Sequence, residues 1–217
     1  LEVCAPSAAS PPLVSAFLTA SSAANLSAGP KGTFTPIVGP FGDLADTQQK
    51  PPSPHQQSEI PMETTLIIFK PDAVQRGLCG KILSRFEDKG LQVVGMKLMQ
   101  IPLSLAETHY EAHKSKPFYA GLVRFMTSSP VVVLALRGNG AITIARNMMG
   151  ATFGSKANPG TIRGDFGVSN SYNLIHGSDS PEAAERELKL FFAPGEVLDW
   201  KRAGDSWIYD MAGGKPE

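Results

Sequence analysis

The sequence predicts an α+β domain in which a four-stranded, largely antiparallel sheet is covered by helices as an α/β sandwich. Three observations predict it. Short apolar runs of strand length alternate with stretches of helical periodicity. The boundaries between them fall at Gly and Pro. One run, 131–136, is unbroken Val, Leu and Ala, as a strand buried on both faces must be.

Each element follows in order. Residues 64–69 (TTLIIF) are short, apolar and β-branched, and Lys70-Pro71 closes them as a buried strand. Residues 79–89 set Ile82, Leu83 and Phe86 on one helical face and stop at Gly90. A second strand is expected over 91–101. Helical segments follow over 105–114 and 118–127, parted by Pro117, which cannot sit inside a helix. Residues 130–136 form the third strand, and 141–149 a helix ended by Gly150. A Gly/Pro-bearing loop then runs to about Gly167, a length uncommon in loops without a task. Residues 172–176 read as a short fourth strand, and 181–192 as a helix with Ser180 at the cap and Pro181 in the first turn. This order of strands and helices is the ferredoxin-like one.

The domain is expected to occupy 62–217 of the 217 residues. Residues 1–61 are dense in Ser, Ala, Pro and Gly, contain no Arg, and lack the periodic apolar residues a core needs. Neither a secretory signal nor a transit peptide fits: no basic residue precedes the apolar stretch 13–20, and Glu2, Asp43, Asp46 and Glu59 face no arginine. Met62 is the first methionine and directly precedes the first strand, so the expected start is Met62 and 1–61 an extension, disordered or spurious.

Lys+Arg and Asp+Glu both total 20, which excludes the global basic excess of a general nucleic-acid or membrane-surface protein. Setting aside 1–61 removes two basic and four acidic residues and leaves a formal charge of +2. No apolar run reaches the ~18–20 residues of a membrane span. Two cysteines, Cys4 and Cys79, lack neighbouring thiols or imidazoles at metal-ligand spacing, which fits a reduced, cytoplasmic compartment.

Chemistry is expected around Asn173-Leu174-Ile175-His176-Gly177-Ser178-Asp179-Ser180. One imidazole stands just past an apolar strand, the following glycine is expected to leave room for a reacting phosphate, and the nearby helix amino terminus favours anionic charge. Glu187, seven residues into that helix, could hold the imidazole's other nitrogen and fix its tautomer. Lys70, Arg146 and Arg163 occupy places suited to a polyphosphate, and Thr152 adds a hydroxyl. A lone histidine is more often a satisfied core residue, so the assignment rests on the whole group. Three Gly-rich stretches, 77–82, 138–140 and 150–156, fail the spacing of phosphate-binding loops and are expected to be turns. His109 and His113 stand at the spacing of a zinc pair without an evident third ligand, and no protein metal site is expected.

From about Thr64 to Asp210 the chain resembles the nucleoside diphosphate kinases. The similarity is carried by Lys70-Pro71-Asp72 with Val74-Gln75-Arg76-Gly77, by His109-Tyr110, by Pro117 to Leu122, by Pro159 to Asp165 and by Asn173 to Ser180, in that order. The resemblance implies a ping-pong kinase. His176 would take the γ-phosphate of a nucleoside triphosphate and return it to a diphosphate. It further implies that Lys70, Arg146, Thr152 and Arg163 hold the phosphates, that Asn173 and Lys70 reach the ribose, and that Phe118 stacks on the base. Tyr110 would lie beside His176, with Glu187 and Ser178 orienting the ring from behind. Mg²⁺ would arrive on the nucleotide phosphates. The expected partners are nucleoside di- and triphosphates and further copies of the chain, a hexamer rather than a tetramer, with no membrane and no specific nucleic acid. Gly154 and Asn170 depart from the usual pattern. The alternative is a catalytically vestigial relative acting as a nucleic-acid or protein-binding module.

Overall fold

In the computed structural model the described residues are 62–211, so the expectation for 1–61 lies outside them. The sheet is built from β1 (Met62–Phe69), β2 (Gln92–Met99), β3 (Val131–Asn139) and β4 (Ile175–Gly177), in the order β2-β3-β1-β4. All three pairings are antiparallel. The long, branched β1 and β3 occupy the centre, where both faces of a strand must be apolar.

Alternation along the strands divides the core in two. Ile67, Phe69, Leu134 and Leu136 face one way, against Ile82 and Phe86 of α2 (Cys79–Asp88) and Ala141, Ala145 and Met149 of α5 (Ala141–Met149). Leu66, Ile68, Val133 and Ala135 face the other. They meet Ala106 of α3 (Leu103–His109), Val123 and Met126 of α4 (Tyr119–Met126), and Phe191 of α7 (Pro181–Phe191). The period-2 pleat thus distributes consecutive apolar residues between two helical layers. Glu63 adds a polar tie at the far end of β1, its Oε1 accepting the Ile142 N–H at 2.8 Å in the first turn of α5.

Several boundaries differ from expectation. A five-residue helix, α1 (Pro71–Gln75), begins where a plain strand ending was expected; Pro71 at its first position has the φ a helix needs and no N–H to satisfy. A second short helix, α6 (Ile162–Phe166), lies inside the long loop, capped by the Thr161 hydroxyl, which accepts Gly164 N–H at 3.1 Å. The expected 105–114 helix ends at His109 and gives way to a single 3₁₀ turn, Glu111–His113. β3 runs on to Asn139, while β4 is confined to Ile175–Gly177 rather than starting at 172. Leu174 is the reason: its φ of +67° is incompatible with extended pairing. Gly77, Gly140 and Gly150 all adopt positive φ, as turn glycines should.

Candidate active site

His176 is the middle residue of β4, opposite Ile68 of β1. Its Nε2 lies 3.1 Å from Glu187 Oε2, which reaches across from α7. The Ser178 hydroxyl donates to the same Oε2 at 2.7 Å and accepts the Leu66 N–H at 3.3 Å. Ser178 therefore acts on the imidazole through Glu187. Burial alone would raise the Glu187 pKa, but the hydrogen bond from His176, its charge, and the Ser178 hydroxyl together hold the carboxyl well below its ordinary value. Glu187 thus engages the ring through Nε2.

Tyr110 stands near the histidine, ring centroids 6.4 Å apart, but its buried hydroxyl has no hydrogen-bond partner. Burial first, and then the Glu187 charge, push its pKa up, so the phenol stays protonated. His109 is closer, 4.7 Å from His176 ring to ring and edge-on at 85°. Sequence spacing alone paired His109 with His113. The fold separates them: His113 is exposed against Phe118, centroids 5.7 Å apart, and His109 turns inward.

Gly177 corrects one expectation. A Cβ there would meet Met149 Sδ at 2.7 Å and Ile67 Cδ1 at 2.9 Å. The glycine makes room for core packing rather than for a phosphate, because adjacent strand residues point to opposite faces.

The cations gather around the turn that precedes β4. Lys70 ends β1, only 8% exposed, and its Nζ donates to Asn173 Oδ1 at 2.7 Å. The Asn173 amide nitrogen donates to Thr152 O at 2.8 Å, so one side chain ties the end of β1 to the long loop. Arg163, on α6, directs Nε to Asn173 O at 3.2 Å, Nη1 to Gly150 O at 2.8 Å and Nη2 to Ile175 O at 2.7 Å. Arg146 reaches Gly177 O from α5 at 3.4 Å. Desolvation first, then the neighbouring Arg163, lower the Lys70 pKa to about 8; Asp72 opposes them. Arg163 is lowered to about 10 by burial and then by Arg146. Lys70 and Arg163 are thus held together out of water, with Arg146 exposed beside them. Thr152 is exposed beside this cluster, and Phe118 is 55% exposed next to His113.

Asp72, quoted in the sequence only as part of a motif, has a structural task. Its Oδ2 accepts the Leu174 N–H at 3.0 Å, while Leu174 O accepts the Lys70 N–H at 2.9 Å and Asn173 O accepts the Ile175 N–H at 2.7 Å. The last is a γ-turn across a left-handed, fully buried leucine, a strained conformation held by its neighbours. No spacing rule in the sequence announces it.

Fold and site together define a phosphotransferase-like α+β domain with a carboxylate-held histidine beside clustered cations. The family profile described as nucleoside diphosphate kinase matches residues 63–197. The chain is 56% identical over 149 residues to a nucleoside diphosphate kinase of Carboxydothermus hydrogenoformans, covering 69% of this chain and all of that protein. It is also 56% identical over 151 residues to that of Chloroflexus aggregans, again 69% of this chain and all of the relative. A solved structure of the Halobacterium salinarum enzyme in complex with CDP matches with a TM-score of 0.68 at 49% identity, over 69% of this chain and all of that one. The Aquifex aeolicus enzyme matches at 0.62 and 40%, over 64% of this chain and all of that one. The chain belongs to the nucleoside diphosphate kinase family, a family of enzymes. Among the described residues no helix is long and apolar enough to cross a membrane.

Proposed function

We propose that the protein transfers the γ-phosphate of a nucleoside triphosphate, typically ATP, to a nucleoside diphosphate by a ping-pong route through His176, and so maintains NTP and dNTP pools in the cytoplasm. The observation that carries the reading is the 3.1 Å contact between Nε2 and Glu187, which leaves Nδ1 as the nucleophilic nitrogen. The Nδ1 lone pair attacks Pγ, an N–P bond forms, and the bridging Pγ–O bond breaks with its electrons leaving on the diphosphate. Glu187 retains Nε2–H and offsets the positive charge that develops on the ring. A β-phosphate oxygen of the second nucleotide then attacks the same phosphorus, and the N–P electrons return to Nδ1.

Lys70, Arg146, Arg163 and Thr152 hold the phosphates in this reading, and Asn173 with Lys70 meets the ribose. Phe118 stacks on the base, which every base can accept through its π face. The side chains near the phosphates are cationic and suit a polyphosphate, not a six-oxygen Mg²⁺ cage. Mg²⁺ would accordingly arrive with the nucleotide as part of the substrate and supply charge neutralisation on its phosphates, while Lys70, Arg146 and Arg163 would hold them. The protein self-associates in this reading, as a hexamer rather than a tetramer; Met96 and Leu98, 58% and 66% exposed on the edge strand β2, support self-association as such.

The test is transfer from labelled ATP to protein. An acid-labile, base-stable label that GDP removes, and that His176→Ala lacks while still binding nucleotide, is the expected outcome. Label on the His176→Ala protein, or turnover without any phosphoenzyme, refutes the route.

A further inference from the structure

His109 poses a problem that the proposed reaction does not solve. Its side chain is 2% exposed and neither ring nitrogen has a hydrogen-bond partner. Buried polar groups in folded proteins are partnered in the great majority, and each exception calls for a cause. Tyr110, Phe191 and His176 box the ring at centroid distances of 4.4, 5.1 and 4.7 Å, all edge-on. Its Nδ1 points toward Glu187 Oε1 at 3.9 Å, beyond hydrogen-bond length. Glu187 meanwhile holds His176 Nε2 through its other oxygen. Two imidazoles and a carboxylate converge, one ligand atom from each, within 4.8 Å of one another.

We propose that His109, His176 and Glu187 form a site for a divalent ion of the Zn²⁺ type, whose binding disables the nucleophile. Two imidazole nitrogens and one carboxylate oxygen, with a fourth position open to water, are a donor set that Zn²⁺ uses. Ligand atoms about 2.0–2.2 Å from the metal in a tetrahedron stand about 3.3–3.5 Å apart. The 3.1 Å between His176 Nε2 and Glu187 Oε2 is already near that spacing, while His109 Nδ1 lies 3.9 Å from the other carboxylate oxygen and the three donor atoms lie within 4.8 Å of one another, so closure draws His109 and the carboxylate together.

The same surroundings select the ion. Arg186 Nη2 lies 3.9 Å from Glu187 Oε1, and Lys70 is near enough to oppose positive charge on His109. These cations reject an ion held by charge alone. Mg²⁺, which seeks oxygen donors in octahedral array, gains nothing from imidazole; Zn²⁺ does.

Inhibition follows from proton placement, and it rests on His176 being the nucleophile. A neutral imidazole has one N–H and one lone pair. When the metal takes the lone pair at Nε2, the ring's proton sits on Nδ1. No lone pair then faces the γ-phosphorus, and Glu187 no longer supports an Nε2–H. The Nε2–H bond breaks and an Nδ1–H bond forms as the proton exchanges through water, metal–ligand bonds form, and a chelator reverses the state.

The experiment uses the whole protein without nucleotide, with Co²⁺ as a spectroscopic probe and Zn²⁺ as its competitor. The expected result is visible absorption of tetrahedral strength that saturates at stoichiometric Co²⁺ and disappears on adding Zn²⁺. Protein loaded with Zn²⁺ and freed of excess by gel filtration should not take label from Mg·ATP until a chelator is added. His109→Gln, which removes a ligand, should weaken Co²⁺ binding by more than the roughly 10–100-fold that loss of an outer partner costs, and take label whether or not it was exposed to Zn²⁺. Unchanged absorption and inhibition in His109→Gln overturn the proposal. If that variant does not fold, weak absorption of octahedral type in the unaltered protein overturns it alone. Failure of the phosphotransfer reading is separately visible, as absence of label in metal-free protein given Mg·ATP while the cobalt absorption remains.

Discussion

Lys70→Met should make the protein more stable at neutral pH relative to alkaline pH while removing phosphate binding. The lysine is nearly isosteric with methionine along its stem, and it is buried at the end of β1. Its folded-state pKa is lowered from 10.5 to about 8, by desolvation first and by Arg163 second. Below pH 8 both folded and unfolded chains carry the charge, and the folded chain bears its full penalty. Between pH 8 and 10.5 the unfolded chain binds more protons, so stability rises with pH as that penalty disappears. At roughly 1.36 kcal/mol per pKa unit, the native protein should gain about 2–3 kcal/mol from this one group between pH 7 and 10. Lys70→Met cannot show that gain. Its mean offset is set by a second term, because Asn173 Oδ1 loses its 2.7 Å donor and an unsatisfied buried acceptor costs about 1–3 kcal/mol. The pH dependence is the clean quantity. Urea denaturation of both proteins at pH 7 and 10, at one protein concentration, measures it. A stability difference that stays constant within about 0.5 kcal/mol over that range, or moves the other way, refutes the reasoning.

Phe118→Ala should weaken nucleotide binding by about 1–3 kcal/mol, with similar losses for purines and pyrimidines, because it removes a stacking face and no base-edge donor; calorimetric titration with four diphosphates checks this. Ser178→Ala removes the donor to Glu187 Oε2 and the acceptor of Leu66 N–H, and should cost about 1.5–3 kcal/mol at pH 7. Glu187 has a lowered folded pKa, so its stabilisation is complete above the unfolded carboxyl range and is lost as pH falls through the folded value. The Ser178→Ala deficit should therefore persist at pH 4 and shrink only as the pH approaches the folded value of about 2, which denaturation at pH 7, pH 4 and about pH 2 will show.

The central strands and the larger helices were legible because long runs of one periodicity are set by burial, and burial is written locally. β1, β2, β3, α2, α5 and α7 follow this rule to within a few residues at each boundary. The short elements escaped it. α1 and α6 have five residues each, too few for a period, although Pro71 and the Thr161 cap were signals of the right kind. The start of β4 was misjudged because Leu174 looks like a strand residue and is held in a left-handed turn by Asp72, 102 positions away in sequence. The candidate site residues are charged or imidazole side chains that stand beside an element end. What each one touches was not legible, since Lys70 meets Asn173 across 103 positions and no periodicity encodes that distance. His109 shows the same limit: helical spacing offered His113 as its neighbour, and the sheet delivered His176.

If Lys70 and Arg163 bind phosphates as proposed, they are held in place before any phosphate arrives, and this has a thermodynamic consequence. Arg163 is fixed by three backbone carbonyls and Lys70 by Asn173, so little side-chain freedom remains to be lost on binding. Arg146 and Arg163 are like charges, as are Arg163 and Lys70, and each pair depresses a proton affinity. A polyphosphate removes that repulsion and restores the Lys70 pKa toward its ordinary value. Nucleotide binding at pH 8.5 should then draw in about 0.7 proton, since a group of pKa about 8 is roughly three-quarters deprotonated there. Calorimetry in two buffers of different ionisation heat measures the uptake directly. It should fall toward zero at pH 6.5, where Lys70 is already charged, and uptake that persists there would place the titrating group elsewhere.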